Sequence, residues 1–496
     1  MAAQALGTNT RSLIRRVVFL LPPEATPFAV GGFVRDALLG RSSHDLDIAV
    51  NGDALAMARS LALALDGACV PLDEERQVAR VAFHHEGIPW QIDLATLQGD
   101  LLQDLHRRDF TVNAMAVPLT AMIGEDWAAH VVDPYRGQAD LEGRIIRQTS
   151  PAVFREDGLR LLRAVRIAAK LDFTLEPGTQ DTIRREANCL AGVAWERVRD
   201  ELLSTLACRN AMRWFYVLDD LDLLCRVLPE LAEGKGVTQP KEHHWDVFRH
   251  NLETVGAVEG LLHRDYQPEW TLAYVPWNDD LAAYFGEVVS EGHTRATLLK
   301  LAALLHDVAK PASKTIEAGG RIRFFGHHTQ GAAMCRVALE RLRLSRRAVR
   351  LVETMVEHHL RPGQMSQGVE LPTARAIYRY FRSAGEAAVD TLYLNLADYL
   401  SARGPMLQGQ EWAGYTRVVR HILDMGRNPD GIGTAAPRLL DGRDLMAAFD
   451  LAPGPHLGTL LEAVQEAQAL GEITTKEEAL ALAKHTLAMS QEVRRG

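Results

Sequence analysis

The apolar residues of this chain change their period once, near residue 150. Between about 27 and 145, short runs of β-like pattern (FAVGG, DLDIAV, VARVAF, WQIDLA) are separated by helical stretches (FVRDALLG, DALAMARSLALAL). A period of two buries one face of a strand, and a period near 3.6 buries one stripe of a helix. That mixture calls for an α/β head built on a sheet. From about 150 onward Leu and Ala recur at threes and fours with little interruption, which calls for a long all-α body. Breaks at TSPAVF (149–154), EGKGVTQPKE (233–242) and ARGPMLQGQ (402–410) divide the chain into 1–148, 149–235, 236–405 and 406–496. At 496 residues the chain is also too long for a single core.

Composition excludes several classes. Hydrophobic residues make up 47% and charged residues 24%, the balance of a soluble globular chain, and no apolar run reaches the ~18 residues of a membrane span. The N-terminal apolar patch after Arg11, Arg15 and Arg16 lacks a cleavage site, so a cytoplasmic location is expected. The five cysteines are scattered without C-x-x-C spacing, which points to neither a disulfide framework nor a zinc knuckle. A net charge of -9 excludes a broadly basic surface and leaves room for a local basic groove.

The chemistry-bearing residues cluster in the head. Gly31 and Gly32 follow a β-like run and open a helix, where backbone N–H groups can approach phosphate oxygens. Asp45 and Asp47 lie two apart in a strand pattern and therefore on one face. Two carboxylates beside a phosphate-holding turn suit Mg²⁺ ions that bridge a triphosphate and an attacking hydroxyl. Asp93, in the run IDL, offers a third acid on a neighbouring strand. Taken singly, each of these reads as a turn or a solvated strand end. In this order and spacing they resemble the G-[GS]-x-D-h-D pattern of the DNA polymerase β nucleotidyltransferase superfamily.

The stretch RRDFTVNAMA resembles the signature of the bacterial and eukaryotic (class II) tRNA nucleotidyltransferases and their poly(A) polymerase relatives. The resemblance implies that Gly31, Gly32, Arg35, Arg107, Arg108, Asp109 and Asn113 lie beside the nucleotide; an Arg–Asp helix cap is the alternative for Asp109. VVDPYRGQADLEGRIIR resembles the family's connecting segment, and FREDGLRLLRAVRIAAKLDF resembles its base-reading helix. In that helix Asp157 and Arg160 would be neighbours on one face, able to pair with cytosine or adenine edges, while Arg163 and Arg166 would meet the nucleotide, RNA phosphate or water. The bland reading is an intrahelical ion pair on a solvated face.

In the body, His250, His306, Asp307 and Asp398 all fall in helical patterns, and imidazoles and carboxylates from separate helices can converge on one divalent ion. Their order resembles the HD phosphohydrolase superfamily. Lys310, His327, His328, His358 and His359 are further candidates for a phosphate or a second metal. The resemblance implies either a phosphatase or cyclic phosphodiesterase activity or a retained tRNA-binding scaffold. The segment 439–483 resembles the C-terminal part of HD-containing members, with tRNA docking as its expected use.

Only LATLQGDLLQDLH separates Asp93 from Arg107, whereas CCA-adding members of the resembled family carry a longer segment there. The expectation is therefore a tRNA 3′-end nucleotidyltransferase with Mg²⁺ at the head and an unidentified divalent metal at the HD site. Its partners are tRNA and CTP, with ATP as the further substrate of a complete CCA-adding enzyme; two-cytidine addition is favoured. The rivals are a poly(A) polymerase, a protein uridylyltransferase or alarmone-type enzyme, and an RNA-binding protein with an inactive head.

Overall fold

The computed structural model describes residues 6–266, 268–365, 370–427 and 438–493. It divides into two compact units, Met1–Thr205 with Val217–Arg226, and Leu206–Tyr216 with Val227–Gly496.

The first unit opens with helix α1 (Thr8–Leu20), followed by strand β1 (Phe28–Val30) and helix α2 (Gly31–Leu38). Strand β2 (Asp45–Val50) leads into helix α3 (Ala54–Leu65), whose N-terminus is capped by the Asp53 side chain. Strands β3 (Ala68–Asp73), β4 (Val78–His85) and β5 (Ile88–Thr96) form a meander, and a short helix α4 (Leu101–His106) precedes β6 (Ala116–Pro118). The sheet order is β3-β4-β5-β2-β1-β6, with β2 parallel to β5 and the other neighbours antiparallel.

Alternation in DLDIAV explains the placement of β2. Leu46, Ile48 and Val50 are buried on one face, while Asp45 and Asp47 take the other. Each buried aliphatic side chain contributes roughly 1.5–3 kcal/mol, so a one-residue slip that drove the acids into the core is strongly disfavoured. The edge strand β3, irregular in its apolar pattern, and the three-residue β6 are elements that the periodicity does not announce.

Helix Leu159–Leu171 follows a short helix Val153–Glu156, and helix Trp195–Ala207 packs farther along the same unit. Asp157 was expected inside a helix with Arg160. It lies instead between two helices, in extended backbone at φ -150° and ψ 105°. Gly158 then starts the next helix, and the Asp157 carboxylate accepts from Leu159 N. The two residues are therefore not stacked on one helical face.

The second unit is helical apart from small two-stranded pieces. Its centre is made by helices Val247–His263, Arg295–Leu305, Arg346–His358 and Ala388–Arg403, with His327–Arg341 packed against Arg346–His358. A hairpin of Lys314–Ile316 and Ile322–Phe324 stands beside it. Helices Gly442–Phe449, Pro455–Ala469 and Lys476–Val493 enclose a separate core of Leu445, Leu460, Val464, Ala479 and neighbours. None of the described helices is long and apolar enough to cross a membrane.

Candidate active site and metal centre

Parallel pairing of β2 with β5 sets Asp47 directly beside Asp93. Antiparallel pairing of β4 with β5 sets Arg80 beside Asp93 on the other flank. Arg80 donates from Nε and Nη2 to the two oxygens of Asp93, each at 2.8 Å. Asp93 thus shares a wall with Asp45 and Asp47, but both of its oxygens are already engaged. At the end of β1, Gly31 turns the chain into α2 with φ +68°. A Cβ there would lie 3.0 Å from Arg108 Nη1 and 3.1 Å from Asp47 Oδ2, so only glycine lets these groups meet over the turn. Burial pushes the Asp47 carboxyl up to about 6; Arg108 opposes this, and Asp93 and Asp45 add to it.

Behind this wall runs a hydrogen-bonded chain. Arg35 Nη1 donates to Asn113 Oδ1 at 2.8 Å, and Asn113 Nδ2 donates to Asp109 Oδ1 at 3.0 Å. Arg163 lies 3.5 Å from the other Asp109 oxygen, and Glu201 pairs with both Arg163 and Arg166. These residues enclose a cavity of about 500 Å³, in which Arg35, Arg80, Arg108, Arg163, Arg166 and Lys170 face Asp45, Asp47 and Asp93. A mixed wall of this kind suits a polyphosphate that arrives with divalent cations.

Most of the expected head residues therefore meet: Gly31, Gly32, Arg35, Asp45, Asp47, Asp93, Arg108, Asp109, Asn113, Arg163 and Arg166 all line the cavity. Three do not. Arg107 turns onto the buried Asp104. Asp157 pairs with Arg197 at 2.7 Å, and Arg160 donates to Glu156, Val153 O and Arg107 O. The sequence reading also passed over Asp104, Arg80 and Lys170. Asp104 precedes the two arginines by three and four residues, a helical spacing that marks contact. Arg80 sits within the β4 alternation, and only cross-strand register reveals its partner.

In the second unit His250, His306, Asp307 and Asp398 do converge, although His306 and Asp307 lie in the turn after helix Arg295–Leu305 rather than within a helix as their pattern suggests. His250 Nε2 is 3.2 Å from His306 Nε2, 3.3 Å from Asp307 Oδ2 and 3.1 Å from Asp398 Oδ1. His306 Nε2 lies 3.2 Å from Asp307 Oδ2. The other Asp307 oxygen faces His327 Nε2 at 3.4 Å and His359 Nε2 at 3.7 Å, so Asp307 belongs to two clusters of metal-ligating type. The Nδ1 atoms of His306, His327 and His359 each face a main-chain oxygen three residues back, at 2.7 to 2.8 Å. That contact orients the rings and turns each Nε2 inward toward Asp307. The Nε2 atoms of His327 and His359 are buried without a hydrogen bond, the state of donors built for a cation. His328 and His358 take no part in either cluster.

Protonation of these imidazoles is set by burial against the neighbouring acids. Although burial opposes it, the Asp307 and Asp398 carboxylates hold His306 up to about 10, while burial pushes His359 down to about 3. Lys310 Nζ adds an ion pair to Asp307 at 2.5 Å. Above the cluster opens a cavity of about 1000 Å³ whose wall carries Lys241, Lys310, Arg321, Arg323 and Arg403 with Tyr399 and Tyr415.

Family models match segments of both units. The chain matches the family models described as "Poly A polymerase head domain" over residues 27–147, "Probable RNA and SrmB-binding site of polymerase A" over 172–235, "HD domain" over 280–403, and "tRNA nucleotidyltransferase domain 2 putative" over 436–483. His250 lies ahead of the matched HD segment and reaches the centre from its own helix. The chain is 38% identical to the A-adding tRNA nucleotidyltransferase of Deinococcus radiodurans, over 93% of this chain and 95% of that protein. It is 33% identical to the CC-adding tRNA nucleotidyltransferase of Thermus thermophilus, over 93% and 94%. A solved CCA-adding enzyme in its apo form I shares the fold with a TM-score of 0.62 at 21% identity, covering 98% of this chain and 95% of that one. The chain belongs to the tRNA nucleotidyltransferase family, in the branch that joins a poly(A)-polymerase-type head to an HD domain.

Proposed function

We propose that the head performs one part of CCA addition, transferring cytidylate from CTP to the 3′ hydroxyl of tRNA and stopping after two residues. The observation that carries the transfer chemistry is the register of Asp47 beside Asp93, with Gly31 and Arg108 closing over the same carboxylate. Asp45 and Asp47 are the residues to hold Mg²⁺, which when bound supplies charge neutralisation at the transferring phosphate and a more acidic attacking hydroxyl. We assign Arg35 and Arg108 to the triphosphate and Asp109 and Asn113 to the ribose, since all four line the cavity beside the acids. Asp157 and Arg160 select the base only after leaving Arg197 and Glu156, so base reading follows a side-chain exchange.

Restriction to one kind of nucleotide rests on the connection between β5 and α4. It comprises residues 97–100 alone, and Asp100 closes it with a capping box to Gln103. A pocket that must accept cytosine twice and then adenine needs an element that moves, and this connection is short and capped. Adenosine addition is the second reading, favoured by the A-adding relative of 38% identity. Extension of tRNA transcripts ending at the discriminator base, at C and at CC, each with labelled CTP or ATP, separates the two. Incorporation of two cytidines and no adenosine is expected; a single adenosine on the CC end and no cytidine identifies an A-adding enzyme, and both activities together refute single-nucleotide addition.

Gly31→Ala tests the turn. A methyl group there meets Arg108 and Asp47 at 3.0 and 3.1 Å and a backbone at positive φ, and the combined strain is on the order of 1–3 kcal/mol. The expected result is a fall of about tenfold or more in kcat/KM for CTP with tRNA binding retained, measured by steady-state extension and gel shift.

We further infer that the second unit holds divalent cations between its two clusters and acts on a phosphate ester. Asp307 is the shared ligand, and the cationic, aromatic wall above it fits an anionic nucleotide end.

A further inference from the structure

Asp104 touches neither the cavity nor either glycine, yet it is the most completely buried acid of the head, with its side chain 1% exposed. One oxygen accepts from Arg107 Nε at 2.9 Å and from its Nη2. The other accepts from Arg108 Nη2 at 3.1 Å and Nε at 3.4 Å. Arg108 therefore gives its Nε/Nη2 edge to Asp104 and has Nη1 left for the cavity, 3.0 Å from the point where a Gly31 Cβ would stand. Arg107 spends its side chain on the same carboxylate, and its main-chain oxygen accepts from Arg160.

We propose that Asp104 is a positioning residue, whose buried carboxylate fixes the Arg108 guanidinium with Nη1 turned toward Gly31 and Asp47, where the triphosphate of the incoming nucleotide is held. The proposal rests on the reading of Arg108 as a triphosphate ligand. A free arginine side chain carries rotamer entropy that a phosphate contact must otherwise overcome at the moment of binding. A two-point charge-assisted contact removes that cost in advance. Helix α4 holds the carboxylate in place: its N-terminus is closed by Asp100 and Gln103, and Gln98 N approaches Asp104 Oδ1 at 3.5 Å. The short connection after β5 and the arginine that faces the nucleotide are thus joined through one acid.

The test is a mutant cycle on the full chain, with CTP varied at saturating tRNA. Asp104→Asn removes the charge and is expected to raise KM for CTP about 10-fold or more, since hydrogen bonds to charged groups are the strong ones. The loss in kcat should be far smaller, and KM for tRNA should not move. In an Arg108→Ala background the same substitution is expected to have little further effect, because its route to the nucleotide is gone. If Asp104→Asn proves unstable, Asp104→Glu keeps the charge but displaces it, and a smaller rise in KM is expected. An unchanged KM in the variant that folds, or an equal further rise in the Arg108→Ala background, overturns the proposal. If Arg108→Ala itself leaves KM for CTP unchanged, the triphosphate reading of Arg108 fails instead.

Discussion

Asp47→Asn is expected to abolish nucleotide addition, by on the order of a thousandfold or more, and to make the metal-free head harder to unfold. The first effect follows, on the proposed reading, from losing a carboxylate that would hold Mg²⁺, which when bound would supply several kcal/mol of charge stabilisation. The second follows from the environment of Asp47. Its carboxyl is raised to about 6 chiefly by burial, with Asp93 and Asp45 adding to the effect, so the folded state binds this proton more tightly than the unfolded state does. Above about pH 6 the charged form carries its full cost; the cost shrinks as pH falls toward 4 and is gone below that, where both states are protonated. Asparagine keeps the shape without the charge. Its advantage at pH 7 without metal is on the order of 1–2 kcal/mol, reduced because the carboxylate is partly open to the cavity. Denaturant unfolding in chelator at pH 7 and pH 4, followed through the buried Trp90 and Trp127, checks this. A variant less stable than the parent at pH 7 would show that Arg108 and Arg35 more than offset the burial. Retained addition would remove Asp47 from the catalytic set.

The residues that the sequence placed well are those whose position follows from local periodicity. Asp45 and Asp47 share a face because a strand alternates, and Gly31 sits at a strand-to-helix turn because the period changes there. The HD residues follow from order along the chain, but only His250 and Asp398 sit within helices; His306 and Asp307 lie in the turn that follows Arg295–Leu305. Asp157 shows where the pattern stops being sufficient. Its spacing from Arg160 is helical, but the small Gly158 lets the chain approach Cys189 O so closely that a Cβ would stand 2.1 Å from it, and the helix begins only after that contact. The partner of Asp157 is Arg197, 40 residues away. Arg80 and Asp104 escaped for the same reason: their meaning lies in which side chains face them, and register and burial supply that. His327 and His359 were distinguished from His328 and His358 only by which side of each helix is buried. Adjacent residues on a helix point about 100° apart, so one of each pair faces the cluster and the other does not.

Asp307→Asn is expected to strip the second unit of bound divalent cation and of any phosphate-ester hydrolysis while leaving CTP addition within about twofold of the parent. Asp307 is the one acid common to both clusters, with one oxygen toward His250 and His306 and the other toward His327 and His359. Among the described residues no other acid joins both clusters: Asp398 lies 3.1 Å from His250 and belongs to the first alone. An asparagine offers a single neutral oxygen where two charged ones stood, which leaves His327 and His359 without the acid of their cluster and His250 and His306 with Asp398 alone. Loss of hydrolysis by about a thousandfold or more is the scale expected when metal-supplied charge stabilisation disappears. Head and centre belong to different compact units, and the carboxylates of the transfer site are all in the first. The measurement is cation content by elemental analysis after dialysis against Mn²⁺, with hydrolysis of nucleotide phosphate esters and CTP addition assayed on the same preparations. His328→Ala, a substitution beside the cluster and outside it, serves as the control and should keep both cation and hydrolysis. Full cation content in Asp307→Asn would place the metal elsewhere, and equal loss in His328→Ala would mean that the cluster tolerates no change nearby rather than that Asp307 is its shared ligand. A parallel collapse of CTP addition would show that the two units are coupled in function, which the separate placement of their acids argues against.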